Sequence, residues 1–539
     1  MESDKNAPFS GENTSPSSVH PTLWIRESKG KNLSGKTIVL GVTGSIAAVQ
    51  TVQLARELIR YGASVYAVAT NAALSIIHED ALHYATGNPV IKSLTGRVEH
   101  VEFFGANGYA DLLLIAPATA NTVSKIAAGI DDTTVTTFAT TAIGEGKKIM
   151  VVPAMHESMY RHPKVLENIK ILKSWGIEII APRLEEGIAK IADTDEIVLR
   201  VLRTLGDNSL AGKSVFVTSG ATAESIDPIR ILTNRASGKT GEFIAREAYV
   251  RGAEVYLFHK NVSKYSGLPH FYDIFTESCR DMTNAVTEKI ALADPPRAGK
   301  NILISAAAIS DYTLDADDSK IKSGSSELTL KLRPTKKLIE EACYTDPNLF
   351  IVAFKAETEV LHQELIDIAA SKIEEGIADL VVANDVKEKG MGTDDNDVYL
   401  VTSKYLKDRD LKSVLSISGS KEKIAAELFD CILDEVSETQ AEKFVFEPQE
   451  SVLADMNSYA EIIALESDED DIEIDDGIAD ENQNEIDSDE EIYVDDESNE
   501  EIDIENDIEN SKPSSPLKPK RPLRRKTARI NGNVFKKRN

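Results

Sequence analysis

Short apolar runs of strand length recur along this chain, each followed by a turn of small residues and then an amphipathic stretch. "TIVLGV", "SVYAVAT", "DLLLIAP", "KIMVVPA" and "EIIAP" follow one another from residue 37 onward. Runs this short, apolar and β-branched read as strands buried on both faces. Between them lie amphipathic stretches such as residues 49–60. That alternation specifies right-handed β-α-β units, hence a parallel sheet with helices on both faces. Near residue 210 the pattern starts again. "LAGKSVFVTSGATAES" (residues 210–225) repeats the outline of "LSGKTIVLGVTGSIAA" (residues 33–48): a Gly-Lys lead-in, a short strand and a loop containing glycine. After it come "AEVYLF", "KNILISAAAISDY", "NLFIVAF" and "ADLVVAND". The chain therefore reads as two Rossmann-like α/β domains, residues 34–205 and 206–440, joined near "TLGDNSLAG". In such sheets ligands sit beyond the carboxyl ends of the strands, so the turns after each run are where chemistry belongs.

Composition bounds the rest. At 539 residues the chain exceeds one ordinary domain. Its three cysteines, Cys279, Cys343 and Cys431, form no Cys-x-x-Cys and fit a reducing cytoplasm. No run of eighteen apolar residues is present, and the start, "MESDKNAPFSGENTSPSSVHP", is polar and unlike a signal peptide, so no membrane partner is expected. Residues 1–33 are expected to be disordered. So is the tail, residues 441–539. Residues 461–510 hold 25 acidic side chains and no Lys or Arg, whereas residues 511–539 hold 11 basic ones and no acid. Such segments cannot offset their ordering entropy by apolar burial. The basic end could bind nucleic acid or an anionic surface. The tethered acidic block is the nearer opposite charge, so no nucleic-acid partner is expected otherwise.

One apparent motif misleads. "GKNLSGKT" matches the phosphate-loop pattern through Gly30, Gly35, Lys36 and Thr37. A phosphate loop follows a strand and opens a helix. Here the strand comes after the match, which is therefore accidental. The next loop, "GVTGS" (residues 41–45), does follow a strand and precede a helix. Its small residues let a ligand approach the backbone, although a tight strand-to-helix turn needs them too. Further strand exits are "APATANTVSKIAAGIDD" (residues 116–132) and "PAMHESMY" (residues 153–160), with His100 upstream in "VEHVEF". A lone histidine is more often a surface or core residue than a catalyst.

In the second half, "DPIRILTNRASGKT" holds Arg230 between a strand and a helix and places Asn234, Arg235, Ser237 and Lys239 beside the helix N-terminus, which suits a phosphate, although a Ser-Gly turn into a helix reads the same way. "SAAAISDY" ends a strand at Asp311, and "DSKIKS" supplies Lys320 and Lys322. A loop lysine pair is usually solvated surface. In a chain of net charge −29, however, a triphosphate site needs local cations. No carboxylate cluster marks a metal site, so the metal ligands are unknown.

Taken in order, "GVTGSIAA", "EHVEF", "APATANT", "KIAAGIDD" and "PAMHESMY" resemble the flavin-dependent cysteine decarboxylases, a flavodoxin-like fold. "DPIRILTN", "SGK", "AAISDY", "KIK", "FKAET" and "DLVVANDV" resemble phosphopantothenate–cysteine ligases. Residues 34–440 as a whole resemble the bifunctional phosphopantothenoylcysteine decarboxylase/phosphopantothenate–cysteine ligase family of coenzyme A biosynthesis, in its archaeal form. The resemblance implies FMN bound through Gly44, Ser45, Thr70, Ala118, Thr119 and Asn121, with His100 as the active-site histidine. The implied chemistry oxidises the substrate thiol toward a thioaldehyde, so that CO2 leaves β to a C=S sink; the enethiolate is then protonated and reduced. Two departures stand out. His156 occupies the place of an asparagine that would hold the substrate carboxylate, a task for which an imidazole N–H also serves. The flap cysteine of the bacterial enzymes is absent, and "PRLEEGIAKIADTDEI" offers Lys190 in its segment, leaving the final proton donor open.

For the ligase half, the resemblance assigns Asn234 and Lys320 to the acyl-nucleotide intermediate and Arg230 to the attack of cysteine. Asp311, Phe354 and Lys372 lie in segments matching nucleotide contacts. The implied substrates are 4'-phosphopantothenate, cysteine and CTP, with CTP over ATP left open. The carboxylate would attack the α-phosphorus, and Mg2+ would neutralise the triphosphate. A trimer-based homo-oligomer, up to a dodecamer, is implied as well. A nicotinamide-dependent oxidoreductase is the rival enzyme, but neither strand-exit loop carries G-x-G-x-x-G. A degenerate enzyme acting as a scaffold through its charged tail is the rival of another class.

Overall fold

The computed structural model describes residues 20–439, apart from 186–187, 262, 297–298, 323–326 and 386–394. The expected tail lies outside the described residues. The front sheet has five parallel strands in the order Ser64–Ala69, Thr37–Val42, Leu112–Ala118, Lys148–Pro153, Glu178–Ile179. The strand Leu112–Ala118 is buried along its whole length, as an apolar run covered on both faces must be. Among the covering helices, Thr51–Arg60 buries Leu54, Ala55, Leu58 and Ile59, one stripe at helical spacing.

The back sheet has eight strands, in the order Phe271–Phe275, Glu254–His259, Ser214–Thr218, Ile302–Ser305, Phe350–Glu357, Leu380–Asp385, Asp395–Thr402, Leu415–Ser420. The first six are parallel. The last two are antiparallel and were not among the expected strands. Leu415–Ser420 closes the sheet edge and is mostly exposed, so its sequence lacks the continuous apolar signal of the inner strands.

The two sheets are not separate bodies. One apolar cluster runs from Leu54, Leu58 and Leu202 of the front half to Tyr249, Val250 and Leu428 of the back half. At the seam, the Arg203 guanidinium donates to the carbonyls of Tyr249 (2.7 Å), Ala253 (2.8 Å) and Gly252 (3.1 Å), which close the helix Lys239–Val250. Arg246 donates to the Tyr61 hydroxyl at 2.8 Å and pairs with Glu422 at 2.9 Å. Residues 20–33 also depart from expectation. Rather than being disordered, this stretch buries Thr22 and Leu33, and Lys29 pairs with Glu57 of the helix Thr51–Arg60 at 2.7 Å. Its apolar content is too sparse to announce packing, but the helix supplies the complementary surface.

Candidate active sites at two strand edges

In the front half the crevice opens between the ends of the adjacent strands Thr37–Val42 and Leu112–Ala118. Thr43 ties the two exits together. Its hydroxyl donates to the Pro117 carbonyl at 2.7 Å and accepts the Thr119 N–H at 3.1 Å. Around that tie stand three helix caps. Ser45 opens the turn Ile46–Gln50, the Thr70 hydroxyl accepts the Ala73 N–H at 3.2 Å, and the Thr119 hydroxyl accepts the Thr122 N–H at 3.3 Å. A capping hydroxyl uses its oxygen to accept and keeps its proton to donate to a ligand. Gly44 is where the walls come closest. A Cβ there would lie 2.6 Å from the Ala72 Cβ, so only glycine fits. Ala118 is buried behind Thr119, and Asn121 is exposed one residue inside the helix Ala120–Ala127.

His100 stands on the short helix Glu99–Phe104. Glu99 anchors that helix: its carboxylate accepts the Thr95 N–H at 2.9 Å and bonds the Thr95 hydroxyl. Burial pushes the Glu99 carboxyl up, but the Thr95 donors and the helix N-terminus outweigh it and hold it below the usual carboxylate range. The His100 ring meets Phe138 edge to face, with centroids 6.5 Å apart. Phe138 belongs to the helix Thr134–Gly144, whose Val135 packs on Gly41 of the first strand. The helix on that strand end therefore also backs the imidazole. The His100 Nδ1 is buried and, among the described residues, has no hydrogen-bond partner. A buried ring nitrogen without a partner calls for one from a ligand. Thus the residues fit a planar, hydrogen-bonding cofactor: a cradle that a Cβ would fill, donor hydroxyls and an orphaned imidazole nitrogen.

His156 is exposed and lies in the two-residue strand Met155–His156, which pairs antiparallel with Ile188–Lys190. Lys190 in turn pairs in register with Arg183. The histidine turn and the flap segment are thus one small sheet, which sequence spacing alone did not reveal. Burial pushes the phenol of Tyr160, four residues on from His156, above its ordinary value, so it remains protonated.

In the back half the crevice lies between Ser214–Thr218 and Ile302–Ser305, where the strand order reverses direction. Their exits are stitched together. The Ala308 N–H donates to the Gly220 carbonyl at 2.8 Å, and the Ser310 N–H donates to the Thr222 hydroxyl at 2.9 Å. Asn234 reaches across, its amide 3.1 Å from the Ala308 carbonyl. Gly238 caps the helix Lys239–Val250 with φ of 82°, left-handed backbone that favours glycine, and a Cβ there would lie 3.3 Å from Gly220 Cα. Arg230 sits at the tip of the hairpin Ala223–Ser225/Ile231–Thr233 and pairs with the buried Asp227 at 2.7 Å. Lys320 and Lys322 are exposed on the neighbouring loop.

Three expected nucleotide residues fare differently. Asp311 is exposed and paired with Lys337 at 2.5 Å. Phe354 is half-buried near the carboxyl end of Phe350–Glu357. Lys372 is not brought to the crevice. It lies near the end of the helix His362–Glu374, which connects two parallel strands and so runs back to their amino edge, where Lys372 pairs with Glu375 at 2.8 Å. Thr43, Phe138 and Asp227 have no role assigned from the sequence. Thr43 lies in the strand-exit loop "GVTGS" and Asp227 heads "DPIRILTN", whereas nothing in the sequence marks Phe138. Among the described residues no group of three or more His, Cys, Asp or Glu could hold a metal ion, and no helix is long and apolar enough to cross a membrane.

Two family models match the chain: Flavoprotein over residues 26–206, and DNA/pantothenate metabolism flavoprotein C-terminal domain over residues 210–436. The chain is 48% identical over 395 residues to the coenzyme A biosynthesis bifunctional protein CoaBC of Thermococcus kodakarensis, covering 72% of this chain and 94% of that protein. It is 37% identical over 414 residues to the protein of the same name from Methanocaldococcus jannaschii, covering 76% and 97%. Among solved structures it is similar to the DNA/pantothenate metabolism flavoprotein from Streptococcus pneumoniae, at 25% identity over 41% of this chain and 98% of that one, with a TM-score of 0.35.

Proposed function

The chain belongs to the bifunctional coenzyme A biosynthesis proteins, which carry a flavoprotein decarboxylase and a phosphopantothenate–cysteine ligase, and on that premise we propose how its own residues divide the two reactions. The domains divide at 34–205 and 206–440. The back half acts first: 4'-phosphopantothenate and CTP form an acyl cytidylate and pyrophosphate, and cysteine displaces CMP to give phosphopantothenoylcysteine. The front half then removes CO2 to leave 4'-phosphopantetheine. Two observations support the reading: a buried His100 Nδ1 with no partner among the described residues, on a ring backed by Phe138, and a strand-exit turn whose Gly44 admits no Cβ.

FMN, when bound, supplies the two-electron chemistry that makes the carboxylate labile. The hydroxyls of Ser45, Thr70 and Thr119, with Asn121 and the Ala118 backbone, hold it by hydrogen bonds. His100 exchanges a proton with the substrate, a task suited to an imidazole near neutral pH. His156 donates an N–H to the substrate carboxylate and so orients it. Lys190, in the strand paired with His156, takes the place of the missing thiol as a proton source.

In the back half Asn234 and Lys320 hold the acyl phosphate, with Lys320 stabilising charge as it grows on the α-phosphoryl oxygens. Asp311 and Phe354 contact the nucleotide, and Arg230 supports the ligation. Mg2+ arrives with the triphosphate and neutralises it. The site is cytoplasmic, and the assembly is trimer-based, up to a dodecamer. What supports assembly is apolar side chain in water beside the flavin loop: Ile46 is 78% exposed and Val49 is 55% exposed.

The test is product masses from purified full-length protein given 4'-phosphopantothenate, cysteine, Mg2+ and either CTP or ATP. The expected result is 4'-phosphopantetheine with CTP and little product with ATP. Accumulation of a decarboxylated but unreduced thiol would remove Lys190 from its role. Failure to form phosphopantothenoylcysteine with either nucleotide would sink the ligase half of the reading.

A further inference from the structure

Asp227 is a buried carboxylate that the two reactions as described do not use. Its hydrogen bonds go to three residues. Oδ1 accepts the N–H groups of Ile229 and Arg230, both at 2.8 Å. Oδ2 accepts Arg230 Nη1 at 2.7 Å and, from a loop ninety-four residues away, the Ile321 N–H at 3.1 Å. The Arg230 guanidinium reaches the same residue from its other side, with Nη1 and Nη2 at 3.2 and 3.3 Å from the Ile321 carbonyl. The backbone of Ile321 is thus held at both its polar groups by two adjacent side chains on one hairpin tip. Burial pushes the Asp227 carboxyl up, but three N–H donors and the guanidinium outweigh it and hold it below the ordinary carboxylate range. It therefore stays charged at neutral pH.

Ile321 stands between Lys320 and Lys322. Both are exposed, and among the described residues neither has a hydrogen bond or an ion pair. Other lysines of this half differ: Lys337 is paired with Asp311 and Lys372 with Glu375. Two like charges one residue apart repel each other, and a loop carrying them needs an anchor that does not cancel them. The Asp227–Arg230 pair meets that need. Its own charges sum to zero, it grips only backbone, and both ammonium groups remain available.

We infer that Asp227 and Arg230 are positioning residues that mount Lys320 and Lys322 on the polyphosphate of the nucleotide. This rests on the ligase reading of the back half. It also changes what Arg230 does. Because its guanidinium is bound to Asp227 and Ile321, Arg230 acts on carboxylate activation through Lys320 rather than on cysteine alone.

The test uses the full-length holoenzyme and follows pyrophosphate release from CTP and 4'-phosphopantothenate, without and then with cysteine. Lys320→Gln sets the scale. Asp227→Asn, which offers Ile321 an amide in place of an anion, should lower kcat for pyrophosphate release about tenfold or more, with the KM for cysteine unchanged. Arg230→Lys keeps the charge but loses the fork and should do likewise. Adding Asp227→Asn to Lys320→Gln should lower the rate by no more than about twofold further, because residues acting as one unit are not additive. Decarboxylation of supplied phosphopantothenoylcysteine reports the fold; if Asp227→Asn loses that too, Arg230→Lys decides. Normal cysteine-free pyrophosphate release in Arg230→Lys, or a multiplicative double variant, overturns the clamp. Unchanged release in Lys320→Gln instead overturns the role of Lys320 and removes the clamp's purpose with it.

Discussion

The two crevices sit at equivalent places in similar sheets, yet they are furnished in opposite ways. The front crevice is lined by neutral groups: capping hydroxyls at Ser45, Thr70 and Thr119 and a Gly44 without room for a Cβ. The back crevice has a similarly close glycine turn at Gly238, but it is flanked by two lysines that have no ion pair among the described residues, on a clamped loop. A planar ring is held by shape and hydrogen bonds at fixed points. A polyphosphate is held by charge, which a net-negative chain must concentrate locally. The comparison teaches that strand-end geometry alone does not choose the ligand; the side chains set on it do.

The sharpest way to break this contrast is at His100. His100→Asn should cut CO2 release by about 10²–10⁴-fold, the usual weight of a positioned acid–base group, while pyrophosphate release stays within about twofold. Paired assays on one preparation check it, and parallel loss of both activities would show the two sites to be one. Next in size, Gly44→Val should abolish the yellow flavin absorbance, because even its Cβ would meet Ala72 at 2.6 Å. Flavin content per protein after gel filtration measures this, and a normally flavinated variant would show that the turn at Gly44 does not hold the flavin.

A seam variant sharpens the comparison from outside the sites. Arg203→Ala leaves three helix-closing carbonyls without their charged donor and should cost about 2–3 kcal/mol in denaturant unfolding. Both activities should then fall together as temperature rises. If only one half loses stability, the shared core does not couple them. The smallest effect belongs to Thr119→Val. Losing the cap should cost about 1 kcal/mol, together with a weaker hold on flavin. In the back half, the pH dependence of the clamp follows from its sign. The Asp227 carboxyl is depressed in the folded state, so its contribution is complete above the ordinary carboxylate range and is lost as pH falls through the depressed value. Pyrophosphate release by wild type and Asp227→Asn should therefore keep a constant ratio across pH 6–8. A ratio that changes there would mean the carboxylate titrates in that range.

Much of this architecture could be read before folding, because buried parallel strands write themselves as runs such as "DLLLIAP" and "NLFIVAF", and strand-end turns must use small residues. The antiparallel edge could not, since Asp395–Thr402 alternates and Leu415–Ser420 is mostly in water. Nor could the packing of residues 20–33, whose partner surface belongs to the helix Thr51–Arg60. The position of Lys372 was likewise not legible. It sits in a segment with the expected composition, but the return path of its helix carries it to the far edge of the sheet.

Local chemistry determined the strands, the turns and the caps, because each depends on neighbours within a few positions of the chain. Long-range encounters decided the rest: His100 against Phe138, His156 beside the flap strand, and Asp227 with Arg230 on Ile321. No periodicity records such meetings, since which groups lose water together is settled only when distant segments pack.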